Sequence, residues 1–128
     1  MAMGFQVTGR VEPQTRRIVF SIRGAIDSRV MVDRYIEIYA GIDRPWTYDR
    51  VFDYRRADGM VEIHDIERMA QWWNARLPAE APGTRVAVIV NNPLDLVRAR
   101  TVGNLFPKDE RRTFASLDDA LSWLDAPP

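Results

Sequence analysis

Apolar and polar positions alternate, cluster and recur along the chain in ways that place most of its secondary structure. The densest cluster is Val86–Val90, five apolar residues without alternation, inside Arg85-Val-Ala-Val-Ile-Val-Asn91-Asn92. β-Branched residues dominate it, and the run is short and closed by Asn91-Asn92-Pro93. This predicts a strand buried on both faces. Such strands belong mostly to parallel sheets covered by helices above and below, so the fold class expected is α/β. Upstream, Phe5–Arg10 alternates with Phe5 and Val7 on one face, and Ile18, Phe20 and Ile22 alternate again after the turn chemistry of Glu12-Pro13-Gln14-Thr15. Two alternating runs across a short polar turn read as a β-hairpin.

Helical spacing takes over next. Asp27 or Ser28 suits an N-cap, Met31, Tyr35, Ile38 and Tyr39 recur on one face, and Gly41 stands where a C-terminal cap belongs. Ile42–Tyr48 is a connection and Arg50–Tyr54 a third strand. Arg55–Gly59 reads as a polar loop ending in the turn pair Asp58-Gly59. A helix from Glu62 to Leu77 carries the stripe Ile66, Met69, Ala70, Trp73 and Leu77. After the loop Pro78–Gly83 and the Val86–Val90 strand, Asn92-Pro93 opens a further helix with Leu94, Val97 and Leu105 inward. Lys108–Arg112 reads as a solvated charge run and Thr113-Phe114-Ala115 as a short last strand. Ser116-Leu117-Asp118-Asp119 resembles a capping box before a helix with Leu117, Ala120, Leu121 and Leu124 inward. The order is ββαβαβαβα in one domain over residues 1–128, a mixed, mostly parallel five-stranded sheet with helices packed on it.

Composition narrows the chemistry. The 128 residues are 46% hydrophobic, enough for a single core. Lys+Arg and Asp+Glu are both 18, so no net charge draws the chain to nucleic acid or an anionic membrane. There is no Cys, which excludes disulfides and thiol catalysis. No apolar stretch approaches the ~20 residues that span a bilayer, and no leader peptide is visible. A cytoplasmic location is expected, with no cofactor and no metal.

Element order and two local patterns resemble the STAS domain, or SpoIIAA-like (anti-sigma-factor antagonist-like), family. One pattern is Arg112-Thr-Phe-Ala-Ser-Leu-Asp-Asp-Ala-Leu-Ser-Trp-Leu124, a short strand running into a helix with an Ala-Leu-x-Trp-Leu core; the other is the Arg85–Val90 strand before it. The resemblance implies a regulatory domain acting on a protein partner. It also implies a phospho-acceptor Ser or Thr after the third strand, in a pattern like Asp-Ser-Ser-Gly-apolar. Here Gly59 and Met60 fit, but the acceptor position holds Asp58 and the preceding Asp is Arg56. The family's likeness in fold to Sec14-type lipid-binding domains further implies a pocket for a nonpolar ligand.

Candidate sites follow from position. In an open α/β sheet, ligands sit beyond the carboxyl ends of the strands. Those ends offer Asp27, Ser28, Arg55, Arg56, Asp58, Asn91 and Asn92, a polar set suited to a small anion and equally to ordinary caps and turns. Trp46 and Trp72 exceed what the stripes require; Trp72 lies about 100° around its helix from Trp73. They suit a pocket, a homodimer surface or extra core. His64 beside Asp65 has no recognisable nucleophile or metal partner and reads as a surface histidine. The expectation is a non-enzymatic regulatory or protein-interaction domain without the phospho-acceptor. The first alternative is a carrier or sensor of a small nonpolar, lipid-like ligand. The last is an enzyme built on His64, Arg55 and Asp58.

Overall fold

The computed structural model of the protein describes residues 4–91, 102 and 104–127. Its sheet is built on the hairpin of β1 (Gln6–Glu12) and β2 (Arg17–Ala25), paired antiparallel with Val7 opposite Ile22 and Val11 opposite Ile18. β3 (Asp49–Asp58), β4 (Thr84–Ile89) and β5 (Asp109–Phe114) then add in parallel, in the spatial order β1-β2-β3-β4-β5. Helix α1 (Ser28–Ala40) links β2 to β3, α2 (Ile63–Arg76) links β3 to β4, and α3 (Leu117–Asp125) follows β5. A 3-10 turn at Pro45–Thr47 precedes β3. The helix expected to open at Asn92-Pro93, with Leu94 and Val97, lies outside the described residues.

β4 behaves as its apolar run predicts. Val86, Val88 and Val90 join the core beneath α1 and α2, while Ala87 and Ile89 join a second, smaller core beneath α3. The sheet is therefore covered on both faces. Aromatic contacts tie the larger core together: Phe20 stacks on Phe52 at 4.7 Å between centroids and meets Tyr35 and Tyr39 edge-on at 5.1 and 5.2 Å. Such pairs add about 0.5–1.5 kcal/mol each beyond their burial. α1 packs so tightly on β1 that a Cβ on Gly9 would stand 2.8 Å from Ile38 Cγ2, so any larger residue there would force Ile38 to shift.

Caps act where the sequence places them. Asp27 accepts from the Val30 amide at 3.2 Å, and Ser116 from the Asp119 amide at 3.1 Å. Gly41 caps α1 through its amide on Ile38 O and Tyr39 O, yet with φ −87°, so no left-handed turn is involved. The C-terminal end of α3 is held by cations: Arg85 donates to Trp123 O at 2.8 Å and Ala126 O at 2.7 Å, and Arg17 pairs with Asp125. Positive side chains belong at that end of a helix.

Two expectations are corrected. Arg55–Asp58 is strand, not loop: Arg56, Ala57 and Asp58 pair with Arg23, Gly24 and Ala25 of β2. Between Ser21↔Asp53 and Arg23↔Arg56, β3 advances three residues while β2 advances two. That is a bulge, which bends a strand and re-aims its side chains. Only at Gly59, with φ +101°, does the chain turn away. The supposed solvated run before Thr113 is likewise strand from Asp109 onward. Its odd positions face the larger core and its even ones the α3 side: Asp109 reaches Arg50, while Arg112 lies over Trp123 at 5.1 Å. Charged residues on an edge strand blunt pairing with other chains, and here half of them also turn inward.

Candidate functional site

Between α1, α2 and the sheet lies a cavity of about 710 Å³. Phe52, Val88 and Val90 form its floor, Tyr35 and Tyr39 of α1 with Ile66 and Met69 of α2 its roof. The β3 bulge lets Tyr54 and Ala57 both reach its wall despite their odd spacing. Phe106, Arg50 and Arg111 are also in the lining, and Gly59–His64 reach it as the segment that runs from β3 into the first residues of α2. In that segment Met60 and Ile63 are 60% and 47% exposed, large apolar side chains left in water. Ser28 ties the segment to α1: its hydroxyl donates to Met60 O at 3.3 Å and accepts from the Glu62 amide at 2.7 Å.

The polar atoms of the cavity are concentrated in a few groups. The hydroxyls of Tyr35 and Tyr54 are 2.9 Å apart, and burial pushes the Tyr35 phenol well up from its ordinary value. Arg50 is fully buried; it donates to Asp109 Oδ1 at 2.5 Å and Thr84 Oγ1 at 3.0 Å and lies over the Trp73 ring at 4.4 Å. Burial pulls its guanidinium down, but Tyr39 and Asp109 outweigh that and the net direction is up. Arg111 sits differently. Among the described residues its nearest carboxylate oxygen is Asp109 Oδ2 at 3.7 Å, too long for a hydrogen bond, and its guanidinium lies 5.1 Å over Phe106. Burial pushes Arg111 down, with Asp109 opposing and Arg50 reinforcing.

Most of the described strand-end residues singled out in the sequence are held by local contacts. Asp27 caps α1 and Ser28 makes the clamp just described. Arg55 forks onto Asp53 at 2.9 and 2.8 Å, and its backbone oxygen accepts from Asn91 Nδ2 at 2.6 Å. Asp58 is exposed, and its carbonyl accepts from the Ile26 amide at 2.8 Å; Arg56 is exposed beside it. Asn92 lies outside the described residues. Trp46 and Trp72 are half-buried at the margin of the larger core, Trp72 stacked 6.2 Å from Tyr39 beneath the Arg76 guanidinium. None of the described ones is in the lining of this cavity. His64 does line it, whereas Arg55 pairs with Asp53 and feels Asp118 of α3, so the two are not gathered in one crevice.

His64 is less isolated than its sequence position suggests. Nδ1 stands 3.4 Å from Glu62 Oε2 and Nε2 3.5 Å from Asp65 Oδ2, and the ligand atoms of these three residues lie within 4.8 Å of one another. Glu62 and His64 are solvent-exposed, and Asp65 also faces Arg68 at 3.6 Å. The residues the sequence reading missed are Arg50, Arg111, Tyr35, Tyr39 and Phe52.

A five-stranded mixed sheet with an antiparallel hairpin edge, α1 and α2 on one face and α3 on the other is the STAS or SpoIIAA-like fold. The solved structures agree. An uncharacterised DUF3478-family protein with a SpoIIAA-like fold from Shewanella loihica PV-4 is 22% identical, with TM-score 0.60 over 94% of each chain. An anti-sigma factor antagonist from Mycobacterium paratuberculosis is 19% identical, with TM-score 0.54 over 94% of this chain and 96% of that one. No family model matches the sequence. No curated protein matches it either. Among the described residues no helix is long and apolar enough to cross a membrane.

Proposed function

We propose that the protein is a non-enzymatic binding domain that holds a small nonpolar ligand in the cavity beneath α1 and α2. The observation that carries this reading is the cavity itself. Protein interiors are packed to crystal-like density, with few voids larger than a water molecule. About 710 Å³ of space walled by Phe52, Val88, Ile66 and Met69 is instead the size of a small-molecule site. Each CH₂ group moved from water into it gains about 0.8 kcal/mol.

The test is thermal unfolding of the purified chain with 1-decanol. A ligand at about 100 times its Kd adds about 2.7 kcal/mol. With an unfolding entropy near 2.1 cal/mol/K per residue, that raises Tm by about 10 °C. Met69→Trp, which puts a larger side chain into the cavity, should lessen the rise. No shift at any soluble concentration rejects the reading.

A second reading joins the first: a protein partner docks at the cavity mouth and reads whether the cavity is occupied. Exposed Met60 and Ile63 favour it, as does the shared fold with an anti-sigma factor antagonist. Such docking would work without phosphorylation at the end of β3, because Arg55–Met60 contains no hydroxyl side chain.

A further inference from the structure

We propose that the cavity takes a single-chain amphiphile with an anionic head, whose oxygens reach the guanidinium of Arg111 while its tail fills the apolar space. This rests on the nonpolar-ligand reading and adds the ligand's charge to it.

The argument starts from an imbalance. Arg50, Asp109 and Arg111 converge from β3 and β5, two guanidiniums on one carboxylate. Asp109 Oδ1 is taken by Arg50 at 2.5 Å, and both side chains are almost fully buried. Arg111 is the cation left over. Its side chain is 13% exposed and stands 3.7 Å from Asp109 Oδ2; its Nε and that Oδ2, like Arg50 Nε, are buried with no hydrogen-bond partner among the described residues. Buried charges are ordinarily paired and hydrogen-bonded, since desolvating a lone ion costs several kcal/mol. The direction of the Arg111 shift, downward with burial as its largest cause, reports the same deficit.

Arg111 lines the cavity, and its guanidinium lies over Phe52 and Phe106 of the same lining, so an occupant can supply oxygens to it. Arginine's planar fork matches carboxylate or phosphate with two parallel hydrogen bonds. An ammonium head would meet a surplus of positive charge, and an alcohol could pair with the fork only as a neutral acceptor. The acidic residue among the described lining, Glu62, is 65% exposed and lies beside His64. Water therefore screens it, as it does not screen Arg111.

The experiment is calorimetric titration of the full chain at pH 8 with decanoate, decyl phosphate, 1-decanol and decylammonium, matched in tail. At least one anion should bind ten-fold or more tighter than 1-decanol, and decylammonium weaker than 1-decanol. Which anion binds tighter decides between a carboxylate and a phosphate head. Arg111→Met should erase the preference for the anion while keeping 1-decanol binding, and Arg111→Lys should retain part of it. The wild-type series stands by itself should either variant fail to fold. If 1-decanol binds and neither anion binds tighter, the anionic head is wrong and the nonpolar-ligand reading survives. If none of the four binds, both fail. An anion preference unchanged in a folded Arg111→Met would also overturn the assignment.

Discussion

Asp109→Asn is the substitution to which the larger core should be most sensitive. The Asp109 and Arg50 side chains are 3% and 2% exposed, so water cannot replace what is removed. The variant keeps the shape of residue 109 and deletes its charge. Arg50 then keeps Thr84 and its stack on Trp73 but loses its counterion, and Arg111 loses the same carboxylate at 3.7 Å. Breaking one partner of a buried pair costs about 3–5 kcal/mol, a large part of the 5–15 kcal/mol that holds a typical domain together. At an unfolding entropy near 2.1 cal/mol/K per residue, this lowers Tm by about 11–19 °C. Urea unfolding followed by circular dichroism gives the loss, and fluorescence reports locally because Trp73 lies against Arg50. The double variant Arg50→Met/Asp109→Leu should recover most of it, since replacing both ions by apolar groups is often neutral or stabilising. A loss below about 1 kcal/mol for Asp109→Asn, or a double variant no better than the single one, would refute the view that these charges depend on each other.

Three further outcomes follow from burial and geometry. Trp73 is 3% exposed against Tyr39 and Arg50, so Trp73→Ala should cost roughly 3–5 kcal/mol; half-buried Trp72→Ala should cost clearly less, and equal losses in thermal unfolding would contradict the packing described. His64 is 70% exposed, so His64→Ala should change stability by no more than about 0.5 kcal/mol, and a loss of ~2 kcal/mol in urea would show that its contacts with Glu62 and Asp65 matter to folding. The hydrogen bond from Arg55 holds the Asp53 carboxyl below its ordinary value, against a smaller opposing push from burial. Its contribution is therefore fully present above about pH 3.9, the unfolded value, and is lost as pH falls through the lower folded value. Wild type should exceed Asp53→Asn by a constant margin near neutrality, and that margin should shrink in acid; one unchanged down to pH 2 would be inconsistent with the pair.

How legible each part was depended on whether its signal lay in neighbouring residues. Val86–Val90 announces a doubly buried strand because every position is apolar, and its odd and even residues do enter separate cores. α2 announces itself through a stripe at helical period. Arg55–Asp58 reads as a loop because its residues are charged and Asp58-Gly59 is a turn pair; pairing with β2 across a bulge overrides that propensity. Asp109–Arg112 conceals its alternation because both faces carry charge, so the period of two separates no apolar set from a polar one. The cavity was the least legible feature. Arg50 and Asp109 are 59 positions apart, and the walls come from helices and strands whose residues each read as ordinary core. Ser28, Arg55 and Asn91 were conspicuous because they end strands, and what they demonstrably do there is hold those ends together.

Position 111 bears on why the cavity and a cation with no hydrogen-bonded carboxylate among the described residues occur together. It faces inward on an edge strand, beside Phe106 and Phe52. A leucine or methionine there would fill space and leave no guanidinium to desolvate. The arginine instead sets a guanidinium with no hydrogen-bonded carboxylate among the described residues on the wall of a 710 Å³ space, so missing packing and a missing hydrogen-bonded counterion lie together. An anionic amphiphile would relieve both at once, its tail replacing missing packing and its head supplying the missing counterion. A neutral apolar ligand would relieve only the first, and a phosphorylation event at the end of β3 neither. The choice among these turns on the charge of the head.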